Sequence, residues 1–292
     1  MNVRVLMQLE PGQTALVTGA ANGIGRALAL AFRAAGLHVV GTDVNAAALQ
    51  ALAAAALADG GAARFTVQTL DVRDAAAVEA LAASLDANGG VQVLCNNAGV
   101  LVPRSVWEHS DAEWRWLFDV NVHGVMNGLR AFVPRMLASG EPAHVVNTCS
   151  MGGFLASPML GAYGATKFAV RALTESLQYD LQARGAKVGV SLLAPGAVKT
   201  AIFDARHAGN SGADADDRAS EGAREMMRQG TAAAGMEPAA IAAEVLLAIR
   251  EGRYWVFPHA YMVPAIAENA GSIVARQEPA FDFAKAWKTG QD

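Results

Sequence analysis

The stretch Thr18-Gly19-Ala20-Ala21-Asn22-Gly23-Ile24-Gly25 decides the fold, because it joins an apolar, β-type run to a helical segment through a glycine-rich turn. Glycines at such a turn let the backbone approach a pyrophosphate closely. The helix that follows supplies free N–H groups and the positive end of its dipole. The stretch therefore predicts a dinucleotide site at the end of a buried strand.

Short β-type runs alternate with alanine-rich helical segments from Thr14 to about Phe257. This alternation is typical of a parallel sheet covered by helices on both faces. Runs such as Val91-Gln92-Val93-Leu94-Cys95 are nearly all apolar, which indicates strands buried on both faces. We therefore predict an α/β fold with a doubly wound, parallel, seven-stranded sheet and helices on both faces, the Rossmann fold. The predicted strands are Thr14 to Thr18, His38 to Thr42, Arg64 to Leu70, Gln92 to Cys95, His144 to Cys149, Lys187 to Leu193 and Tyr254 to Phe257. The predicted helices are Gly23 to Ala35, Asn45 to Ala58, Asp74 to Asn88, Asp111 to Ala138, Ala162 to Ala183 and Pro238 to Arg250.

We predict one domain over residues 1–292 that carries both the dinucleotide site and the catalytic site. Two segments interrupt the alternation. The first is an excursion at about 201–235, which is rich in Gly, Asp, Ala and Arg and is predicted to be mobile and partly helical; segments of this length are usually functional lids or disordered. The second is a C-terminal extension at about 258–292, predicted to pack on the chain through its aromatic residues Tyr261, Phe281, Phe283 and Trp287.

Composition excludes several classes of function. The chain has 53% hydrophobic and 17% charged residues among 292, which is too apolar for intrinsic disorder. The formal net charge of -4, with only 23 Lys and Arg spread thinly, argues against a nucleic-acid partner. No apolar run approaches the roughly 18 residues of a membrane helix, and the N-terminus has no targeting pattern, so we expect a cytoplasmic protein. Cys95 and Cys149 form neither a metal-ligand pair nor a disulfide framework, and no metal site is expected.

Asp43 stands at the end of the second predicted strand, directly after Thr42, close to where a ribose-binding acid should stand after the glycine turn. An acid at this position accepts hydrogen bonds from a ribose 2′-hydroxyl and repels a 2′-phosphate. No Arg occurs among residues 41–45 that could hold such a phosphate. We therefore expect NAD to be preferred over NADP. The alternative is that Asp43 only caps the following helix.

Tyr163 and Lys167 stand four residues apart on one face of a predicted helix, with Cβ atoms about 5 to 6 Å apart. A nearby ammonium favours the phenolate and should lower the pKa of Tyr163 from about 10 towards working pH. Tyrosine could then act as a general base. Ser150 lies just past a strand, at the edge where open parallel sheets bind ligands, and its hydroxyl could bond a reacting oxygen. The spacing alone is weak evidence, because Tyr and Lys at this distance are common on helix surfaces.

Taken together, these elements resemble the short-chain dehydrogenases/reductases, in their compact single-domain branch. The resemblance covers the chain from Thr14 to about Phe257. The matching elements, in the order of the family, are Thr18 to Gly25 as TGxxxGxG, Asp71-Val72 after the third strand, Asn96-Asn97-Ala98-Gly99 after the fourth, Asn121, Ser150, Tyr163-x-x-x-Lys167 and Pro195-Gly196.

The resemblance implies the cofactor contacts. Asp71 and Val72 would contact the adenine, residues 97–99 would line the cofactor while supporting the sheet, and the segment from Pro195 to Thr200 would contact the nicotinamide side. The full expected set is Gly19, Asn22, Gly23, Ile24, Gly25, Asp43, Asp71, Val72, Asn97, Ala98, Gly99, Tyr163, Lys167, Pro195, Gly196, Val198 and Thr200.

The resemblance also implies catalytic roles for four residues. Tyr163 would be the acid/base and Ser150 the hydroxyl that orients the reacting oxygen. Lys167 would lower the pKa of Tyr163 and bind the nicotinamide ribose, and Asn121 would hold a proton-relay water. The alternative for Asn121 is a helix-interior amide satisfied by backbone. Cys149, next to Ser150, is interpreted as a core residue and not as a nucleophile.

We therefore expect an NAD(H)-dependent oxidoreductase, a short-chain alcohol dehydrogenase or ketoreductase, that interconverts a secondary alcohol and a ketone. The alternatives are a catalytically silent nucleotide-binding regulatory protein and an NADPH-dependent carbonyl reductase. The segments around Asn121 and Phe154 resemble a bacterial subgroup that includes Cα-dehydrogenases of lignin-type aryl ethers, which favours an apolar or aromatic small-molecule substrate. The resemblance further implies a homotetramer or dimer. Residues that could line an apolar pocket, or belong to the core, are Met151, Phe154, Met159, Met226 and Met227.

Overall fold

The computed structural model describes residues 5–58, 64–204 and 218–281 of the chain. Its strands form one parallel, seven-stranded sheet in the order β3-β2-β1-β4-β5-β6-β7. The strands are β1 (Thr14–Thr18), β2 (His38–Asp43), β3 (Phe65–Thr69), β4 (Val93–Asn96), β5 (Ala143–Thr148), β6 (Val188–Leu193) and β7 (Trp255–Val256). The helices are α1 (Gly23–Ala34), α2 (Ala46–Leu57), α3 (Ala75–Asp86), α4 (Asp111–Phe118), α5 (Gly124–Ser139), α6 (Gly161–Ala183), α7 (Arg218–Ala234), α8 (Pro238–Glu251) and α9 (Val263–Val274). The predicted fold class is confirmed.

The sheet is buried on both faces because successive side chains of a strand point in opposite directions. Leu16 and Val17 are neighbours in β1, yet they belong to different cores. Val17 packs in the core that includes Phe32 of α1 and Ile241 of α8. Leu16 packs in the core that includes Phe132 of α5. This arrangement explains the nearly continuous apolar strands of the sequence, since each face of the sheet is covered by its own helices.

The predicted helix from Asp111 to Ala138 is interrupted by a π-helical turn. Ser110 caps α4: its side chain accepts from the backbone N–H of Glu113 at 3.2 Å, while Glu113 accepts from the backbone N–H of Ser110 at 2.9 Å. The π turn covers Asp119–His123 and separates α4 from α5. Turns of this kind occur frequently at functional sites, and this one holds the predicted site residue Asn121.

The excursion and the extension are both partly helical. α7 lies in the excursion, and α9 lies in the extension without a buried residue. The predicted mobility of 205–217, and the packing of Phe283 and Trp287, fall outside the described residues. Of the extension's other aromatic residues, Tyr261 is about half exposed and Phe281 lines a cavity at the carboxyl ends of the strands. Across the described residues, none of the helices is both long and apolar enough to cross a bilayer.

Candidate active site

A cavity of about 1050 Å³ opens at the carboxyl ends of the strands. The strand order reverses between β1 and β4, which is the position where open parallel sheets bind ligands. Two predicted site residues, Gly25 and Asn121, do not line this cavity. The others do: Gly19, Asn22, Gly23, Ile24, Asp43, Asp71, Val72, Asn97, Ala98, Gly99, Ser150, Tyr163, Lys167, Pro195, Gly196, Val198 and Thr200.

The glycine turn forms a cradle that side chains would fill. Gly19 has φ +65°, and a Cβ there would lie 2.8 Å from Cα of Ala98. A Cβ on Gly25 would collide with the carbonyl oxygen of Gly19, which explains why Gly25 is needed although it lies behind the cavity wall. Asn22, the N-cap of α1, makes no side-chain cap hydrogen bond, and the first turn of α1 has no acidic residue. The turn therefore presents backbone N–H groups at a positive helix end and suits a pyrophosphate.

Asp43 is held by the glycine turn. Its Oδ2 accepts from the backbone N–H of Ala21 at 3.1 Å, and its Oδ1 accepts from that of Asn45 at 3.0 Å. The cap of α2 is Asn45, whose side chain accepts from Ala48 N–H at 3.0 Å. Asp43 is therefore not the helix cap. Its carboxylate is oriented at the cavity wall by the turn that would hold the pyrophosphate.

Thr18 organises the neighbouring loop, a role that sequence reasoning did not assign. Its Oγ1 accepts from the backbone N–H groups of Asn97 at 2.9 Å and Ala98 at 3.1 Å, and donates to Cys95 O at 3.3 Å. Asn97 Nδ2 donates back to Thr18 O at 3.1 Å, and Thr148 Oγ1 donates to Asn97 Oδ1 at 3.2 Å. These bonds tie the ends of β1, β4 and β5 together beside the cavity.

Asp71 and Val72 are each fixed by a residue that sequence reasoning missed. Arg73 donates to both carboxylate oxygens of Asp71, with Nη2 at 2.6 Å, and this pairing holds the pKa of Asp71 below its ordinary value. Asn127 of α5 donates from Nδ2 to Val72 O at 2.8 Å. The backbone after β3 is therefore anchored by a side chain of α5. The sequence offered one signal for this role, since Asn127 is a polar residue on a helix face that is otherwise apolar and faces the sheet.

Ser150, Tyr163 and Lys167 meet in the same cavity, as the sequence predicts. Tyr163 and Lys167 project from α6, with Nζ 5.6 Å from the centroid of the phenol ring, and Nζ donates to Thr148 O at 2.9 Å. Ser150 Oγ accepts from the backbone N–H of Gly152 at 3.0 Å, and it contacts Pro195 O at 3.5 Å. The arrangement brings a hydroxyl, a phenol and an ammonium together where a substrate oxygen could bind.

Burial dominates the protonation of this group. It raises the pKa of the Tyr163 phenol, while a hydrogen bond with Ser150 acts in the opposite direction. Burial also lowers the pKa of Lys167 to about 8. The expectation that Lys167 brings the pKa of Tyr163 down towards working pH is thus wrong for the protein alone. Desolvation destabilises the phenolate by more than its neighbours stabilise it.

The side chain of Asn121 is fully buried and has its hydrogen bonds within the protein. Nδ2 donates to Val100 O at 2.9 Å and to Thr166 Oγ1 at 3.0 Å, and Oδ1 accepts from Val100 N–H at 2.8 Å. These contacts match the alternative reading of an amide satisfied largely by backbone. Asn121 lies next to Gly99, which lines the cavity. A Cβ on Gly99 would lie 3.4 Å from Oδ1 of Asn121 and 3.6 Å from Nζ of Lys167.

Methionine side chains form much of the apolar wall of the cavity. Phe154, a candidate for this wall, instead packs in the core, with its ring 5.3 Å from that of Phe257. Cys149 is also buried in that core, and burial raises its thiol pKa, as expected of an inert residue. The methionines that line the cavity are Met151, Met159, Met226, Met227 and Met262, the last of which was not foreseen.

The sequence is similar to a family of known dehydrogenases. Residues 13–211 match the family model described as short chain dehydrogenase. A 1-deoxy-11-beta-hydroxypentalenate dehydrogenase of Streptomyces arenae is 42% identical over 66% of this chain and 69% of its own length. A C alpha-dehydrogenase of Sphingobium sp. is 30% identical over 91% of this chain and 87% of its own length.

Solved structures extend this similarity to nearly the whole chain. A short chain dehydrogenase/reductase from Burkholderia phymatum, in complex with NAD, superposes with a TM-score of 0.90 at 36% identity, over 95% of this chain and 99% of the other. Similar structures include complexes with NAD and with NADP. Among these relatives, one structure therefore holds NAD and another holds NADP.

Proposed function

Because the chain belongs to the short-chain dehydrogenase family, we propose that it is an NAD(H)-dependent oxidoreductase that interconverts a secondary alcohol and a ketone. The observation that carries this proposal is the meeting of Ser150, Tyr163 and Lys167 in one cavity with the glycine turn. A dinucleotide in the cradle of Gly19 would reach from this turn towards the three side chains. The likeness in fold alone would not distinguish an enzyme from a binding protein.

The residues of the chain divide the work of such a reaction. When bound, the cofactor supplies the hydride acceptor or donor. Ser150 orients the substrate oxygen. Tyr163 takes the hydroxyl proton in the direction of oxidation and returns it in the direction of reduction. Lys167 would bind the nicotinamide ribose, and Asn121 supports the wall next to Lys167 by holding Val100.

The test of this mechanism is the variant Tyr163→Phe, which keeps the ring and removes the hydroxyl. It should bind NADH as the wild type does and lose oxidation of any secondary alcohol that the wild type oxidises. Turnover is followed as NADH absorbance and binding as quenching of protein fluorescence. Unchanged turnover would refute the mechanism. Inactivity of the wild type across a broad panel of alcohols and ketones would favour the catalytically silent regulatory protein.

The preference for NAD over NADP rests on Asp43. Its carboxylate is held at the cavity wall by Ala21, where a 2′-phosphate would meet a negative charge. We expect NADH to bind more tightly than NADPH. Asp43→Asn should reduce the ratio of the NADPH Kd to the NADH Kd by about 10-fold, because a hydrogen bond to a charged group contributes roughly 1.5 to 3 kcal/mol. Asn keeps an acceptor for Ala21 N–H, so the turn stays supported. Tighter NADPH binding by the wild type would favour the NADPH-dependent carbonyl reductase instead.

The proposed substrate is an apolar or aromatic small molecule. Its pocket would be walled by Met151, Met159 and Met227, and methionine adapts to irregular apolar shapes. The relatives include a 1-deoxy-11-beta-hydroxypentalenate dehydrogenase and a C alpha-dehydrogenase. Aryl carbinols are the first compounds to screen for NADH production, with small aliphatic alcohols as the comparison.

We also propose a single-domain chain that is cytoplasmic and assembles into a homotetramer or dimer. Phe168 and Tyr179 of α6 are 41% and 64% exposed in the single chain, so this helix offers apolar surface to a second copy. Light scattering tests the assembly. A mass near that of one 30.3 kDa chain would refute it.

A further inference from the structure

His259 follows β7 in the C-terminal extension, and its ring is buried, with 4% exposed. Gly196 N–H donates to its Nδ1 at 3.0 Å, and its Nε2 lies 2.9 Å from Ala197 O. Only the neutral ring with its proton on Nε2 satisfies both contacts, because Nδ1 must accept and Nε2 must donate. Burial also lowers the pKa of His259, which favours the neutral form. The ring therefore bonds the backbone on both sides of one peptide unit.

The extension packs on this turn without space between them. A Cβ on Gly196 would lie 2.7 Å from Sδ of Met262 and 3.1 Å from Cγ of His259. Met262 N–H donates to His259 O at 2.9 Å, and Met262 lines the cavity. Gly196 is thus the residue that lets the extension approach, and His259 is the residue that joins the two by hydrogen bonds.

The opposite side of the turn contacts Ser150 and the residue that follows it. Pro195 O accepts from Met151 N–H at 2.9 Å and contacts Ser150 Oγ at 3.5 Å. The turn from Pro195 to Ala197 is therefore held between Ser150 on one side and His259 on the other. A shift of the turn would move the cavity wall that adjoins Ser150.

The adenine end of the proposed cofactor site is built separately. Asp43 and Asp71 lie at the ends of β2 and β3, whereas the turn follows β6. β2 and β6 are separated by β1, β4 and β5. At about 4.8 Å between neighbouring strands, the two ends are roughly 19 Å apart. A change at His259 should therefore reach one end of the site and leave the other unchanged.

We propose that His259 is a positioning residue that holds the turn from Pro195 to Ala197 against the nicotinamide end of the cofactor. The C-terminal extension is thereby coupled to that end of the site, and to the substrate wall through Met262. This inference rests on the proposed NAD-dependent function.

The test compares two ligands that differ at one end, NADH and ADP-ribose, which lacks the nicotinamide. His259→Phe keeps a ring and removes both hydrogen bonds. It should raise the Kd for NADH by about 10-fold, since the Gly196 N–H loses its acceptor and Ala197 O keeps only its hydrogen bond from Met236 N–H. The Kd for ADP-ribose should not change. His259→Asn keeps an acceptor near the position of Nδ1 for Gly196 N–H and should recover part of the loss.

Two further variants test whether the effect on NADH binding arises from the contact between His259 and the turn. Gly196→Ala should imitate His259→Phe, because its methyl group displaces Met262 and His259 from the turn. Tyr261→Leu is the matched control: its ring lies 5.9 Å from that of His259 without taking part in either hydrogen bond, and both affinities should equal those of the wild type.

Equal weakening of NADH and ADP-ribose in His259→Phe would show a general structural role and overturn the proposal. Unchanged binding of both ligands would overturn it as well. The readout is the ratio of two affinities and needs no turnover. A wild type without alcohol oxidation would therefore refute the proposed catalysis, while the ratio would still decide the role of His259.

Discussion

We predict that His144 makes the stability of this protein depend on pH. It lies in β5, fully buried, with Nε2 2.8 Å from Ser191 Oγ. The Ser191 hydroxyl donates to Arg253 O at 2.6 Å, so its oxygen accepts from His144 Nε2–H. Nδ1 has no hydrogen-bond partner among the described residues. A Cβ on the facing Gly189 would lie 2.5 Å from Nδ1. The ring thus fits a tight site in which a proton on Nδ1 would find no acceptor among the described residues, and this favours the neutral form.

The size of the effect follows from the pKa. Burial lowers the pKa of His144 to about 3 from the ordinary 6.5. Between these values the unfolded chain binds a proton that the folded chain does not, so stability is highest above pH 6.5 and falls as the pH drops towards 3. At 1.36 kcal/mol per pKa unit, the loss between pH 7 and pH 5 is about 2 kcal/mol.

The assay is urea unfolding at pH 7 and pH 5 at one protein concentration, for the wild type and for His144→Gln. Gln keeps an N–H donor for Ser191 and does not titrate. The wild type should lose about 2 kcal/mol more than His144→Gln over this interval. The control is His123→Gln, at an exposed histidine paired with Asp119, and this variant should follow the wild type. An equal loss in the wild type and His144→Gln would refute the reasoning.

Two further predictions concern the site. The kcat/KM for the proposed alcohol oxidation should rise with pH, because the proposed mechanism needs the phenolate of Tyr163 and burial raises the pKa of this phenol. Ser150→Ala removes a hydrogen bond that lowers the pKa of Tyr163, so the rise should move to higher pH. A pH profile of kcat/KM equal to that of the wild type would contradict the hydrogen bond between Ser150 and Tyr163. Thr18→Val should leave two loop N–H donors, of Asn97 and Ala98, without their acceptor. It should lower the free energy of unfolding by about 1 to 3 kcal/mol and weaken NADH binding, and urea unfolding with NADH titration checks both.

Much of the fold could be predicted because the signals are local. The strands β1, β2 and β6 lie within a residue or so of their predicted bounds, since each is a short apolar run between helical segments. The glycine turn, Asp43, Ser150 and the Tyr163–Lys167 pair were also visible. Each needs only neighbours in the chain, together with the rule that parallel strands end at one edge of the sheet.

The π turn at Asp119–His123 was not foreseen. One residue of extra spacing within a single helical turn scarcely changes an apolar pattern that continues from α4 into α5. The protonation of Tyr163 was predicted in the wrong direction for a related reason. Spacing on α6 indicates that Lys167 is near, whereas the desolvation of the phenol depends on every element that covers it.

The amino-acid sequence determined the strands, the helices that cover them and the residue types that meet at the edge of the sheet, because hydrophobic periodicity and glycine turns act over a few residues. Only the tertiary structure decided which side chains hold that edge in place. Thr18 bonds a loop nearly 80 residues away, and His259 bonds a turn more than 60 residues away. Hydrogen bonds of this kind depend on distance and direction in the folded chain, and no local pattern in the sequence encodes them.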